Sequence, residues 1–193
     1  METCWGMGPA YGLVWHDRWV RSIPDPGFAG DVGAVDPDLA AALEAFDAAP
    51  ADLEAHRAVL RRLPATRLLV PVVAILGEVE HDVPPGGRAE SRLVREKASD
   101  MAAVLMTGRD GRTALLAFTG TPALRQWDPE ARPVPVSVRQ AAQAALQDQA
   151  SALLIDVAGP VLFVVEGDDL SSLAAGHRLV SLQDGGWGWA DFP

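Results

Sequence analysis

Cysteine, lysine and tyrosine are each present once in this chain of 193 residues. The single Cys4 excludes an internal disulfide framework and is typical of a cytoplasmic protein. The longest apolar run, Leu68 to Leu76, contains Pro71 and is too short to cross a bilayer. The N-terminus has no basic stretch followed by an apolar one, so we see no secretory signal. We therefore expect a cytoplasmic protein that does not enter a membrane.

The sequence signatures of common catalytic and cofactor sites are also absent. Lys97 follows Glu96, which excludes the Gly-Lys-Ser/Thr end of a phosphate-binding loop. The four histidines lie far apart and there is no second cysteine, so a structural zinc site is not expected. Neither a nucleophile elbow nor a dinucleotide-binding glycine pattern occurs. We expect no metal and no cofactor, and these absences favour a non-enzymatic protein over an enzyme.

The charge of the chain is unevenly distributed. The formal net charge is −10, yet residues 88–139 carry eight arginines and one lysine against six acids, a net of +3. This basic block indicates either a solvated surface or a site for an anionic ligand, an RNA or a protein surface. DNA is not an expected partner, because both flanking regions are acidic and no basic run exceeds two residues.

Helix and strand signals alternate through the first part of the chain. Asp36-Pro37 is typical of an N-cap followed by proline in the first helical turn, and predicts a helix to about Ala48. Leucines near helical spacing predict a second helix over residues 50–63. The apolar run Leu68 to Leu76 predicts a buried strand, in which Pro71 indicates an edge, a bulge or a strand start.

Two β-hairpins are predicted in the second half. Met101–Thr107 and Thr113–Phe118 flank a connection that contains Asp-Gly, a frequent hairpin turn. Leu153–Val157 and Val161–Val165 flank Ala158-Gly159-Pro160 in the same manner.

Three more helices are predicted around these hairpins. One is short and has Thr121-Pro122 as its cap, one begins at Ser137 with capping-box spacing, and the last starts at Gly167 and closes at Gly176. The proline-rich segment Asp128–Pro135 is interpreted as an extended connector, and Gly185–Trp189 receives no element.

These elements predict an α/β (α+β) fold, a single domain with a mixed five-stranded sheet, two hairpins and flanking helices. We expect this domain over residues 23–180 and a Gly/Trp tail over residues 181–193. Residues 1–22 are expected to be an extension from an upstream start codon or a disordered tail.

Four short segments form a characteristic series. They are Glu96-Lys97-Ala98-Ser99-Asp100-Met101, Gly108-Arg109-Asp110-Gly111-Arg112, Phe118-Thr119-Gly120-Thr121 and the run from Trp127 to Pro135. Their order resembles the SseB family in its actinobacterial form. The family is named for serine sensitivity on overproduction and has no established biochemical activity. The resemblance implies a link to translation or to amino-acid stress, and a ribosome-linked partner.

Two candidate sites follow from these segments. Glu96, Lys97, Ser99 and Asp100 combine two acids, a cation and a hydroxyl before a predicted strand, where α/β sheets often bind ligands. The same residues can instead fix a turn by bonding to the backbone. If they form a site, the chain is a small-molecule enzyme of amino-acid or sulfur metabolism.

The second candidate is a partner or anion face that carries Arg109, Arg112, Arg125, Trp127 and Arg132. Tryptophan and arginine are enriched among the residues that dominate binding energy at interfaces. We expect this face to make the chain a cytoplasmic binding or adaptor domain for a protein or an anionic small molecule. The alternative for Trp127 is packing over the sheet edge. A structural homodimer that buries a strand edge and the Gly/Trp tail is a third possibility.

Overall fold

The computed structural model describes Phe28, residues 30–75, residues 100–183 and residues 185–191. The predicted extension over residues 1–22 lies outside the described residues. Within them the chain forms five α-helices, which are α1 (Pro37–Ala48), α2 (Leu53–Arg62), α3 (Thr121–Trp127), α4 (Val138–Gln147) and α5 (Gly167–Ala175). No described helix is long and apolar enough to cross a membrane.

The described residues also form nine strands in three sheets. The strands are β1 (Arg67–Ile75), β2 (Asp100–Ala103), β3 (Leu105–Thr107), β4 (Thr113–Ala117), β5 (Arg132–Ser137), β6 (Ala152–Ile155), β7 (Phe163–Glu166), β8 (Arg178–Ser181) and β9 (Trp187–Ala190). The strand orders are β2-β1-β5, β3-β4-β6-β7 and β8-β9. β4 and β6 pair in parallel, and the other pairs are antiparallel.

The four-stranded sheet is buried on both faces. Leu115 and Leu153 face a first core shared with α1, α2, α4 and α5. Leu116 and Leu154 face a second core that includes Ala123 and Leu124 of α3. Burial on both faces explains why all of β6, and β4 after its first residue Thr113, are apolar.

Local signals start the helices as the sequence predicts, with two shifts. The Asp36 carboxylate accepts from the backbone N–H of Leu39 at the start of α1, and both arms of the Ser137 capping box form in α4. α2 begins at Leu53 with Asp52 as its N-cap, not at Pro50, because Asp52 supplies the side-chain acceptor. The N-cap of α3 is Gly120, one residue before the predicted Thr121.

The α+β single-domain class and both hairpins are confirmed, but the prediction of one five-stranded sheet is wrong in its count. The predicted strand Met101–Thr107 divides at Val104 and pairs with β1 before this residue and with β4 after it. The carbonyl of Val104 accepts from the N–H of Leu116, which keeps the two parts next to each other. One apolar run therefore contributes to two sheets.

Pro71 lies inside β1, the middle strand of its sheet, and not at an edge. Leu69 exchanges both backbone hydrogen bonds with Phe118, whereas pairing with β2 begins at Val72. The nitrogen of Pro71 therefore points to the place where β1 changes neighbours, and no donor is needed there.

Three segments form strands that the sequence analysis did not predict, namely the start of β5, β8 and the Gly/Trp segment. The connector Asp128–Pro135 contains the first part of β5, which pairs with β1 despite two prolines. The Gly/Trp segment forms β9 and pairs with β8. The indole N–H of Trp187 donates to Glu54 of α2, and that of Trp189 donates to Asp169 of α5. Side-chain contacts with two helices thus position a hairpin in which Gly188 weakens the strand propensity of β9.

His56 of α2 provides a test of how α2 packs against α1 and β7. Its ring centroid lies 5.0 Å from that of Phe163 and 6.0 Å from that of Phe46. Burial lowers the pKa of His56 below 6.5, against the opposing effect of Asp169. The unfolded chain therefore takes up this proton at a higher pH than the folded chain does, so the free energy of unfolding decreases as the pH falls below about 6.5.

We expect His56→Leu to reduce this pH dependence. Urea unfolding at pH 7.5 and 5.5 should show a smaller loss of stability for the variant than for the wild type. The same pH slope in both proteins would contradict the burial of His56.

Candidate functional site

The predicted polar site lies almost wholly outside the described residues. This applies to Glu96, Lys97 and Ser99. The backbone of Asp100 begins β2 and pairs with Ile75 of β1. The two acids, the lysine and the serine therefore remain a prediction from the sequence.

Arg109 and Arg112 of the predicted face lie in the turn between β3 and β4. Nε of Arg112 lies 2.6 Å from Oδ2 of Asp110, and its Nη1 lies 3.0 Å from Oε2 of Glu166 at the end of β7. Hydrogen bonding to Arg112 lowers the pKa of Asp110. Arg112 is thus compensated by two carboxylates, while Arg109 is exposed.

The remaining predicted residues lie around the connection from α3 to β5. Trp127 ends α3, and its ring centroid lies 5.7 Å from that of the fully buried Phe118. Arg125 in the last turn of α3 and Arg132 at the start of β5 are exposed. Within the described part of the chain, neither arginine forms an ion pair. We call Arg125, Trp127 and Arg132 the α3–β5 patch.

β4 separates the two groups of arginines. Arg112 precedes the first residue of β4, whereas Phe118, on which Trp127 packs, follows the last. A strand of this length spans about 17 Å. No described contact joins the turn to the α3–β5 patch, so the five residues lie in two separate groups.

Thr119 and Asp156 form a buried polar pair that the sequence analysis missed. The Asp156 carboxylate accepts from the backbone N–H of Thr119 at 2.8 Å and from its hydroxyl at 2.6 Å. Both residues are almost fully buried. They follow β4 and β6, the two parallel strands, at the edge where α/β sheets often bind ligands. The sequence analysis singled out the segment Phe118–Thr121 and predicted a hairpin connection after β6, but nothing in the sequence indicated that Thr119 and Asp156 meet.

Asp156 occupies a strained and desolvated position. Its φ of 57° is in the left-handed region, which aspartate tolerates better than most residues. A Cβ on Gly159 would lie 2.8 Å from the Cβ of Asp156, so the turn after β6 requires glycine there. Burial raises the pKa of Asp156, although both hydrogen bonds from Thr119 oppose this effect.

Arg67 links this pair to the segment that precedes α1. Its guanidinium donates to the carbonyl of Thr119, to the carbonyl of Ala34 and to both carboxylate oxygens of Asp31. The hydrogen bond from Arg67 lowers the pKa of Asp31. The carbonyl of Gly33 accepts from the N–H of Thr121, which begins α3. The start of α3 is therefore held by two contacts, from Arg67 to Thr119 and from Thr121 to Gly33.

The hydrogen bonds of this network connect chain segments that are distant in sequence. Asp156 is 4% exposed, and each of its carboxylate oxygens already accepts a hydrogen bond from Thr119. Among the described residues, no group of three or more histidines, cysteines or acids has the geometry of a metal site. The pair holds the ends of β4 and β6 together, and α3 carries the residues that face solvent.

Replacement of Asp156 tests this role. Folding raises the pKa of Asp156. The free energy of unfolding therefore decreases as the pH rises above the pKa that Asp156 has in the unfolded chain. We expect Asp156→Asn to retain or increase the free energy of unfolding at pH 7. The asparagine oxygen can accept from the backbone N–H of Thr119, and its NH2 group can donate to the Thr119 hydroxyl oxygen. Asp156→Ala should lower it by about 1–3 kcal/mol, because two buried donors lose their acceptor. Chemical denaturation measures both, and equal stability of the two variants would contradict the pairing.

Comparison with known proteins places this fold in a family. The family model described as the SseB protein N-terminal domain matches residues 39–172, from α1 into α5. The match includes Thr119, Asp156 and the whole α3–β5 patch. No curated protein and no solved structure matches the chain. Since the family model covers more than half of the chain, the protein belongs to the SseB family.

Proposed function

We propose that this SseB-family protein is a non-enzymatic binding domain that contacts an acidic partner through the α3–β5 patch. The observation that carries the proposal is the position of Trp127. The buried Phe118 contacts one part of its ring, the ring is partly exposed, and the exposed Arg125 and Arg132 lie two residues before it and five residues after it in the chain. A rigid, partly exposed tryptophan next to arginines is a frequent composition of binding hot spots.

Charge supports an acidic partner. Arg125 and Arg132 have no ion pair within the described residues, whereas Arg112 at the other end of β4 has two. An acidic partner gains charge-assisted hydrogen bonds only where the cations are not already compensated. A protein partner fits a tryptophan flanked by separated cations better than a small anion does. A ribosome-associated protein, as the family resemblance implies, is one partner of this kind.

Affinity capture from the native lysate tests the proposal. We expect the tagged wild-type chain to enrich a specific partner, identified by mass spectrometry. Arg125→Glu and Trp127→Ala should each lower the affinity for it by about tenfold or more, as for hot-spot residues. Arg125→Glu changes an exposed side chain, so it tests binding even if Trp127→Ala weakens the second core.

Arg109→Glu is the matched control. It makes the same charge reversal at an exposed arginine near the opposite end of β4. The proposal predicts that this variant retains the partner. Equal capture by all the variants, or equal loss in Arg109→Glu and Arg125→Glu, would contradict the assignment of the patch.

A further inference from the structure

The outer edges of the two larger sheets differ in their backbone hydrogen-bonding groups. β5 lies at one end of the three-stranded sheet, and β7 lies at one end of the four-stranded sheet. An edge strand presents unpaired N–H and C=O groups, to which another extended segment can bind. Whether each edge offers donors depends on its residues.

The outer edge of β5 lacks available donors. Leu69 directs both backbone groups to Phe118, so its neighbour in β5, Pro135, directs its own groups away from β1. Pro133 and Ser137 have the same orientation, since they lie two residues away. Both prolines lack an N–H, and the N–H of Ser137 donates to the capping-box glutamine at 2.9 Å. This edge therefore offers no backbone donor to another strand.

The outer edge of β7 retains its donors. The strand Phe163–Glu166 contains no proline, and its backbone pairs with β6 on one side. Within the described part of the chain, no hydrogen bond reaches the backbone of β7 from the other side. Of these two edges, β7 is the one that can accept a further strand.

An apolar strip lies next to this open edge. It consists of four partly buried residues that pack against the second core, which are Trp127, Val157, Leu162 and Val164. Trp127 of the α3–β5 patch therefore packs on the same core as Leu162, which precedes β7, and Val164 of β7. Side chains at every second position of an added strand would cover the strip.

We propose that β7 binds an extended segment of a partner protein as an additional strand, with alternate apolar side chains on the apolar strip and an acidic residue toward Arg125. This inference rests on the proposed function and names how the partner is bound. Main-chain hydrogen bonds would give affinity, and the strip would give specificity.

The observations favour a partner segment over a second copy of this chain. The net charge of −10 opposes the association of two copies of this chain. A symmetric pair of four-residue strands also buries far less than the roughly 1,200 Å² of a stable interface. An extended peptide needs only the edge and the strip.

A displayed library of random dodecapeptides, selected against the full chain, tests the proposal. We expect enriched peptides with apolar residues at alternate positions and an acidic flank. Val164→Lys and Leu162→Lys should each lower the affinity for a selected peptide by about tenfold or more. Val134→Lys, at a half-buried valine of the closed β5 edge, is the matched control and should leave the affinity unchanged. Circular dichroism checks that each variant folds.

Hydrogen exchange distinguishes strand addition from other binding modes. Bound peptide should slow amide exchange over residues 163–166. A second outcome is that Arg125→Glu abolishes peptide binding, that Val164→Lys and Leu162→Lys bind the peptide normally, and that exchange over residues 163–166 is unchanged. Strand addition is then wrong and the proposed function stands. Failure of the wild type to enrich any peptide would overturn the inference, while the capture experiment tests the function separately. A dimer that Val164→Lys dissociates would identify a second copy as the occupant and also overturn it.

Discussion

The hydrogen-bonded pair of Thr119 and Asp156 connects the two segments that leave the centre of the four-stranded sheet. It ties together the ends of two parallel strands, β4 and β6, where one chain segment must turn into α3 and the other must return as β7. Arg67 adds the segment before α1 to the same point through Asp31 and Thr119. Since α3 begins within two residues of Thr119, the position of Trp127 over Phe118 follows from this pair.

Much of the fold could be predicted because local signals dominate it. The N-cap at Asp36, the capping box at Ser137 and the αL glycine at Gly176 each act within one helical turn, and all three are present in the structure. The Asp-Gly hairpin is similarly local. The family resemblance, which rests on short segments in order, is confirmed by the family match.

The remainder depends on contacts between distant residues, which a single sequence does not show. The prolines of β5 are compatible with a strand only because their nitrogens point away from β1. The Gly/Trp hairpin depends on Glu54 and Asp169 of two helices. The role of Asp156 depends on a residue 37 positions away. Likewise, the basic block looked continuous in sequence, but β4 divides it, and the compensation of Arg112 by Glu166 appears only in three dimensions.

The most direct test of the account is site-specific photocrosslinking in the native cell. A photoreactive amino acid would be introduced into the full chain at Arg125 or, as a control, at Arg109. We expect position 125, two residues before Trp127 in α3, to give a discrete adduct with a partner protein, and position 109 to give none. Adducts of equal yield at both positions, or an adduct at position 109 alone, would contradict the claim that the α3–β5 patch is the binding surface.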